Sequence, residues 1–194
     1  MRTEDPRLTE LRSLGARIGT SIYLGPEVYF EKDFATLLTI EDDVVLSQGV
    51  TVLLHDSSLN NLLGAPIKFG AVTLRRGCYV GADVTVMCGV EIGAGALIGA
   101  KSLVRTDVAE GAVAYGSPAR EVGTVADLAA RDALEEQQLV TPGSTFFHVP
   151  APRWKDRTLD EDRQLGADIE AAMQRWSGGD TQHDPGSSSE DPNG

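Results

Sequence analysis

The chain has 194 residues and a net charge of -12, from 17 Lys+Arg against 29 Asp+Glu. That balance argues against nucleic acid, which selects basic faces, and against anionic membrane surfaces. At 41% hydrophobic the chain can build a core, and it has no apolar run near the ~20 residues that span a bilayer. In chain order, MRTEDPRLTE has no apolar h-region, so no secretory signal and a cytoplasmic location are expected. Leu8, Leu11 and Leu14, then Gly15, predict a short helix within residues 1–17 that caps the main domain. That domain is predicted over residues 18–123, interrupted at 58–73 (SSLNNLLGAPIKFGAV) by a protruding loop. Thr124 to Leu139 reads as a helix with Thr124 and Asp127 in capping-box positions, and Val140–Pro152 as extended. Thr158 to Trp176 reads as a second helix, capped by Thr158 and Glu161 and striped by Leu165, Ile169, Ala172, Met173 and Trp176. Residues 124–177 thus make a helical extension, and residues 178–194, without a large apolar side chain, a disordered tail. Residues 1–123 hold 15 acids and 11 bases, residues 124–194 hold 14 acids and 6 bases, so most of the acidity is C-terminal.

A six-residue period dominates the first part. Ile18, Leu24 and Phe30 are six apart; after a slip at Thr36–Thr39 come Ile40, Leu46 and Val52. After the loop come Leu74, Val80, Val86, Ile92, Ile98 and Val104 without a break. Four residues after each anchor the residue is small or apolar, except at Asp56. Gly stands directly after the anchor at Gly19, Gly25, Gly81, Gly93 and Gly99, where it suits a tight corner. A period of six fits neither a helix at 3.6 nor a lone strand at 2. It fits a mainly β fold, a parallel β-helix in which each hexad is a short strand plus a corner and three hexads make one coil. The predicted coils are 18–35, 40–57, 74–91 and 92–109, closed by residues 110–123.

His55 lies three residues after anchor Val52, at a corner just before the loop, and Asp56 stands at the one position that breaks the repeat rule. A histidine suits proton removal from a hydroxyl or amine near neutral pH. A carboxylate or a backbone carbonyl can hold its ring, and Asp56 either orients His55 or the loop backbone. His148 and His183 have no comparable setting, and neither Cys78 nor Cys88 has that of a nucleophile.

These hexads, and the tracts Gly49-Val-Thr-Val-Leu-Leu-His55-Asp56, Val90–Ala109 and Gly116-Ser-Pro-Ala-Arg120, resemble the hexapeptide-repeat acyltransferases of the maltose, galactoside and xenobiotic acetyltransferase kind. The resemblance implies a left-handed parallel β-helix of about four coils. It implies a homotrimer with active sites between subunits, acetyl-CoA or another acyl-CoA as co-substrate, no metal, and a small-molecule acceptor. His55 takes the place of the general base. Ala82 and Ala100 match the small residues beside the pantetheine arm. Arg105 and Thr106 stand where the family shows Thr-Lys near the nucleotide phosphates, and Arg120 matches the closing arginine. Glu31 and Tyr79 fall at acceptor-site positions where sugar acetyltransferases carry Asn and Trp. The extra N-terminal module of the maltose-type enzymes is absent.

The activity so implied is acetyl transfer from acetyl-CoA to a hydroxyl of a sugar or other small molecule. Transfer to an amino sugar or small amine uses the same histidine. A zinc enzyme of the γ-carbonic-anhydrase kind needs three histidines, and only His55 lies in the coils. A non-catalytic β-helix scaffold leaves His55 and the Lys101, Arg105 and Arg120 cluster without a role.

Overall fold

The computed structural model describes residues 4–137, 149 and 157–177. Among them the chain winds repeatedly through three parallel sheets. Sheet I contains Arg17–Ile18, Leu38–Ile40, Val72–Leu74 and Glu91–Ile92. Sheet II contains Tyr23–Leu24, Val45–Leu46, Tyr79–Val80, Leu97–Ile98 and Ala112–Gly116, with Ala119–Thr124 added antiparallel at its end. Sheet III contains Tyr29–Phe30, Thr51–Val52, Thr85–Val86 and Leu103–Val104.

The hexad anchors stand in register across these sheets. Ile18, Ile40, Leu74 and Ile92 are successive partners in sheet I. Leu24, Leu46, Val80 and Ile98 are partners in sheet II, and Phe30, Val52, Val86 and Val104 in sheet III. All but the half-buried Ile18 are buried, and residues four beyond them, such as Val44, Val50, Val84, Val90 and Ala96, fill the same interior. Neighbouring tiers bury one another's anchors, so the column is stabilised by stacking. Ser102 is the polar residue in this core; its Oγ donates to Gly99 O at 2.6 Å and accepts from Gly116 N at 3.1 Å.

The corners divide their work between two positions. The residue three after the anchor takes a left-handed conformation at Ser21, Glu27, Asp43, Gly49, Gly77, Asp83, Gly89, Gly95 and Lys101, with φ from 53° to 82°. The glycine directly after the anchor has another purpose. A Cβ on Gly25 meets Gln48 N at 2.5 Å, one on Gly81 meets Ala100 N at 2.7 Å, and one on Gly93 meets Glu110 N at 2.4 Å. These glycines therefore permit close approach between tiers rather than an unusual φ, which corrects the sequence reading.

Helix α1 (Pro6–Ser13) starts on an Asp5 cap and buries Leu8 and Leu11, while Leu14 is exposed. Its arginines close the open end of the winding. Arg7 donates to Gly25 O at 3.1 Å and Arg12 to Gly19 O at 2.9 Å, satisfying carbonyls that have no further tier to pair with. The slip before Ile40 begins as a 3₁₀ turn over Lys32–Leu37.

The segment expected as a plain loop over 58–73 contains helix α2 (Ser58–Leu63) and a two-residue strand, Lys68–Phe69, paired antiparallel with His55–Asp56. It also ends earlier than expected, since Val72 is already a buried strand residue. Helix α3 (Val125–Gln137) has its capping box: Asp127 N donates to Thr124 Oγ1 at 3.1 Å. Helix α4 (Leu159–Ser177) has another, with Thr158 N donating to Glu161 Oε2 at 2.6 Å and Glu161 N to Thr158 Oγ1 at 3.2 Å. The chain divides into compact units 1–131 and 132–194. No helix among the described residues is long and apolar enough to cross a membrane. The expected extended segment 140–152, except residue 149, and the expected tail 178–194 lie outside the described residues.

Candidate active site

Where sheet III turns towards sheet I, the chain departs from its corner rule. Val52 leads into Leu53, buried Leu54 and His55, and His55 does not take the left-handed conformation of the equivalent corners. Instead it continues as a strand into the excursion, paired with Phe69. One tier below, Glu31 comes directly after Phe30, so Glu31 and His55 share one edge of the winding.

Glu31 makes the contact that fixes the histidine. His55 Nδ1 lies 3.0 Å from both carboxylate oxygens of Glu31. Glu31 Oε2 also accepts the backbone N–H of Leu54 and that of His55, the latter at 3.1 Å. The carboxylate is 12% exposed and the histidine 28%. A carboxylate accepts only, so in the neutral imidazole it assigns the proton to Nδ1 and leaves Nε2 with a free lone pair. The His55 ring is held on its faces as well. Phe34 stands 4.9 Å away edge-on, and Phe69 lies 5.8 Å away with an interplanar angle of 26°.

The expected roles of Asp56 and Glu31 are redistributed by this geometry. Asp56 Oδ1 accepts Ser58 N at 2.9 Å, and its carboxyl is held below the ordinary range chiefly by hydrogen bonds from Ser58. Asp56 therefore starts the excursion, and Glu31, expected at the acceptor, is the carboxylate on the histidine. Composition does not identify Glu31 in this role, since it lies 24 residues before His55. The signal in the sequence is its position directly after an anchor, one coil earlier.

The remaining candidates spread over two edges and sheet II. Arg105 and Thr106 are exposed on the edge of His55, two tiers further along, or roughly 10 Å at ordinary strand spacing. Ala82 and Ala100 lie on the edge between sheets II and III; Ala82 O accepts Lys101 N at 2.8 Å. Tyr79 points outward from sheet II, and its hydroxyl accepts from Ser47 Oγ at 3.0 Å. Arg120 is exposed at the end of sheet II and donates to Ala119 O at 2.9 Å. Among the candidate residues, Glu31, Asp56, Arg105 and Thr106 share the histidine's edge within one chain, and Ala82, Ala100, Tyr79 and Arg120 do not.

Of the Lys101, Arg105 and Arg120 cluster, Lys101 is paired with Asp83 at 2.8 Å. A cavity of about 480 Å³ lies elsewhere, lined by Arg75, Glu91, Asp107, Glu110 and Glu121 among others, and holds none of the candidate residues. Among the described residues no group of three or more His, Cys, Asp or Glu is arranged to hold a metal ion. His148 and His183 lie outside the described residues. Cys78 is buried, and burial pushes its thiol up to about 12, so it is no nucleophile at neutral pH.

No family model matches the chain. Similar proteins include YvoF of Bacillus subtilis, 25% identical over 118 residues, or 61% of this chain and 63% of that one. The dTDP-3-amino-3,6-dideoxy-alpha-D-galactopyranose 3-N-acetyltransferase of Aneurinibacillus thermoaerophilus is 35% identical over 75 residues, 39% of each chain. The galactoside O-acetyltransferase of Escherichia coli is 27% identical, covering 63% of this chain and 70% of that one. The chain thus spans less than two thirds of the length of the first two relatives. Among solved structures, a serine acetyltransferase in complex with cysteine aligns at a TM-score of 0.47 and 30% identity, over 66% of this chain and 45% of that one. In sequence, the chain resembles the hexapeptide-repeat acetyltransferases.

Proposed function

We propose that this chain is a coenzyme A-dependent acyltransferase that moves an acetyl group from acetyl-CoA to a hydroxyl of a sugar or other small molecule. The observation that carries the reading is the Glu31–His55 pair, with Nδ1 occupied and Nε2 free at an edge where the winding opens into an excursion. Similarity to acetyltransferases supports the reaction class. In this reading the winding over residues 18–123 is left-handed, with about four coils, capped by 1–17 and extended by 124–177. Three copies associate so that the His55 edge of one faces the Ala82 and Ala100 edge of another. That association joins residues which a single chain keeps on separate edges. Arg105, Thr106 and Arg120 bind the phosphates, the corners at Ala82 and Ala100 receive the pantetheine arm, and Tyr79 lines the acceptor side.

The chemistry proceeds from the free Nε2. The acceptor hydroxyl oxygen attacks the thioester carbonyl while its proton passes to Nε2. A backbone N–H stabilises the oxyanion. The tetrahedral intermediate collapses, the carbon–sulfur bond breaks, and the imidazolium returns the proton to the departing thiolate. Glu31 stabilises the transient imidazolium, and holding both substrates supplies much of the acceleration. Amine acceptors fit the same sequence of steps, and the sugar N-acetyltransferase among the similar proteins favours them as the second reading.

The test is thiol release from acetyl-CoA with a panel of alcohol, sugar and amine acceptors, alongside calorimetric titration with coenzyme A. Acceptor-dependent release together with saturable coenzyme A binding supports the reading. No binding of coenzyme A contradicts it and favours a scaffold.

A further inference from the structure

The slip before Ile40 brings a large apolar side chain to the histidine. Four residues after an anchor the side chain ordinarily fills the interior, as Val44, Val50, Val84 and Val90 do, each at most 1% exposed. Phe34 stands at that position after Phe30, yet it is half-buried and packs against the core from its margin. The 3₁₀ turn over Lys32–Leu37 accounts for the difference. Its backbone kinks at Phe34 (φ -117°, ψ 25°), and the next residue, Ala35, is buried in the core cluster. The Phe34 ring meets His55 instead, at 4.9 Å between centroids and an interplanar angle of 60°.

Glu31 and Phe34 belong to one local unit. Phe34 N donates to Glu31 O at 3.2 Å, so the carboxylate and the ring reach His55 from the two ends of a single turn. Buried Ala35 and Leu38 hold that turn on the column, and Lys32 ties it to Glu10 of α1 at 2.6 Å. The charged residues of the two-stranded pair, Asp56 and Lys68, are opposite each other one residue beyond His55 and Phe69, and strand alternation puts them on the other face. All of these contacts lie within one chain, so none depends on how copies associate.

One hydrogen bond at Nδ1 does not fix an imidazole. The Cβ–Cγ torsion of histidine is broad, and rotation about it takes Nδ1 off Glu31 and swings Nε2 aside. Glu31 restrains the ring within its plane, and a ring packed across it at 60° restrains the tilt. We infer that Phe34 is a positioning residue, which holds the His55 imidazole on Glu31 and so keeps Nε2 aimed at the acceptor's proton. Phe34 acts through His55 and touches no reacting atom. The inference rests on the acyl-transfer reading and deepens it, and it gives the break in the hexads a purpose.

The experiment measures kcat and the KM for acetyl-CoA and for an acceptor that wild type turns over, in Phe34→Leu, Phe34→Tyr, Glu31→Gln and the double variant Phe34→Leu/Glu31→Gln. Folding is checked by circular dichroism, and the His55 tautomer is read by nitrogen NMR. Phe34→Leu keeps apolar bulk and removes the ring; Phe34→Met, with the same expected results, serves where Phe34→Leu does not fold. The kcat of Phe34→Leu should fall about fivefold, with both KM values within about twofold of wild type and Nε2 protonation increased. Phe34→Tyr keeps the ring and should retain at least about half of the wild-type kcat. Adding Phe34→Leu to Glu31→Gln should cost less than about twofold more, since the ring has already lost its place. A Phe34→Leu kcat within about twofold of wild type, or a lower kcat with an unchanged tautomer, overturns the inference and leaves the acyl-transfer reading intact. A loss confined to the acceptor KM does the same, since Phe34 would then be a wall for the acceptor. So do a Phe34→Tyr protein as impaired as Phe34→Leu and a full additive loss in the double variant. Absence of wild-type turnover with every acceptor overturns the inference together with the reading beneath it.

Discussion

Replacing Glu31 by Gln exchanges a group that only accepts for one that accepts on one side and donates on the other. In the native site three N–H groups converge on Oε2, and Oε1 is a further 3.0 Å contact of Nδ1. The two backbone N–H groups cannot turn away, so the amide oxygen must keep the Oε2 place. The amide nitrogen then takes the Oε1 place, where it donates to Nδ1. That donation favours the tautomer with its proton on Nε2, which has no lone pair for the acceptor. Charge-assisted hydrogen bonds contribute about 1.5–3 kcal/mol each, and one such bond on the ring is lost with the charge. The expected result is a kcat lower by about 10- to 100-fold with little change in the KM for acetyl-CoA. Stability should fall by about 1–3 kcal/mol in urea unfolding. Nitrogen NMR of the imidazole should show Nε2 protonation increase. A Glu31→Gln protein with kcat within twofold of wild type and unchanged tautomer would refute the positioning role of Glu31.

Corners and core give further expected outcomes. Gly81→Ala places a Cβ 2.7 Å from Ala100 N and from Ile98 O, so it should cost about 1–3 kcal/mol in thermal or urea unfolding. Glu27→Gly removes a side chain from a left-handed residue with φ 58° and should stabilise by up to about 1 kcal/mol in the same assay; a loss of stability would contradict strain at that corner. The Cys78 thiol, at about 12, should stay unreactive to Ellman's reagent at pH 8 in native protein and react after denaturation. Rapid native labelling of Cys78 would show that its part of the column opens.

The winding is readable because a solenoid writes its packing into the sequence. Each anchor meets its equivalent one coil away, so the six-residue spacing of Leu46, Val80 and Ile98 is also their register. Corner conformation is less legible, since Asp43, Asp83 and Lys101 take left-handed φ at positions where glycine is the ordinary choice. Their short local turns are set by neighbouring tiers, and single-residue preference does not reveal that. His55 is visible as a corner that leads out of the repeat. Glu31 as its partner is not, because the pairing crosses between tiers. Asp56 misleads for a related reason: adjacent strand residues point to opposite sides, and it turns to Ser58. The aromatic pair Phe34 and Phe69 meets only after the 3₁₀ turn and the excursion fold back, a geometry that no period in the sequence encodes.

The measurement closest to the central claim is turnover of His55→Ala with acetyl-CoA and a competent acceptor, with coenzyme A affinity checked by calorimetry. General-base action predicts a kcat lower by roughly 100-fold or more at unchanged coenzyme A affinity. Near-normal turnover would remove His55 from the reaction and contradict the account.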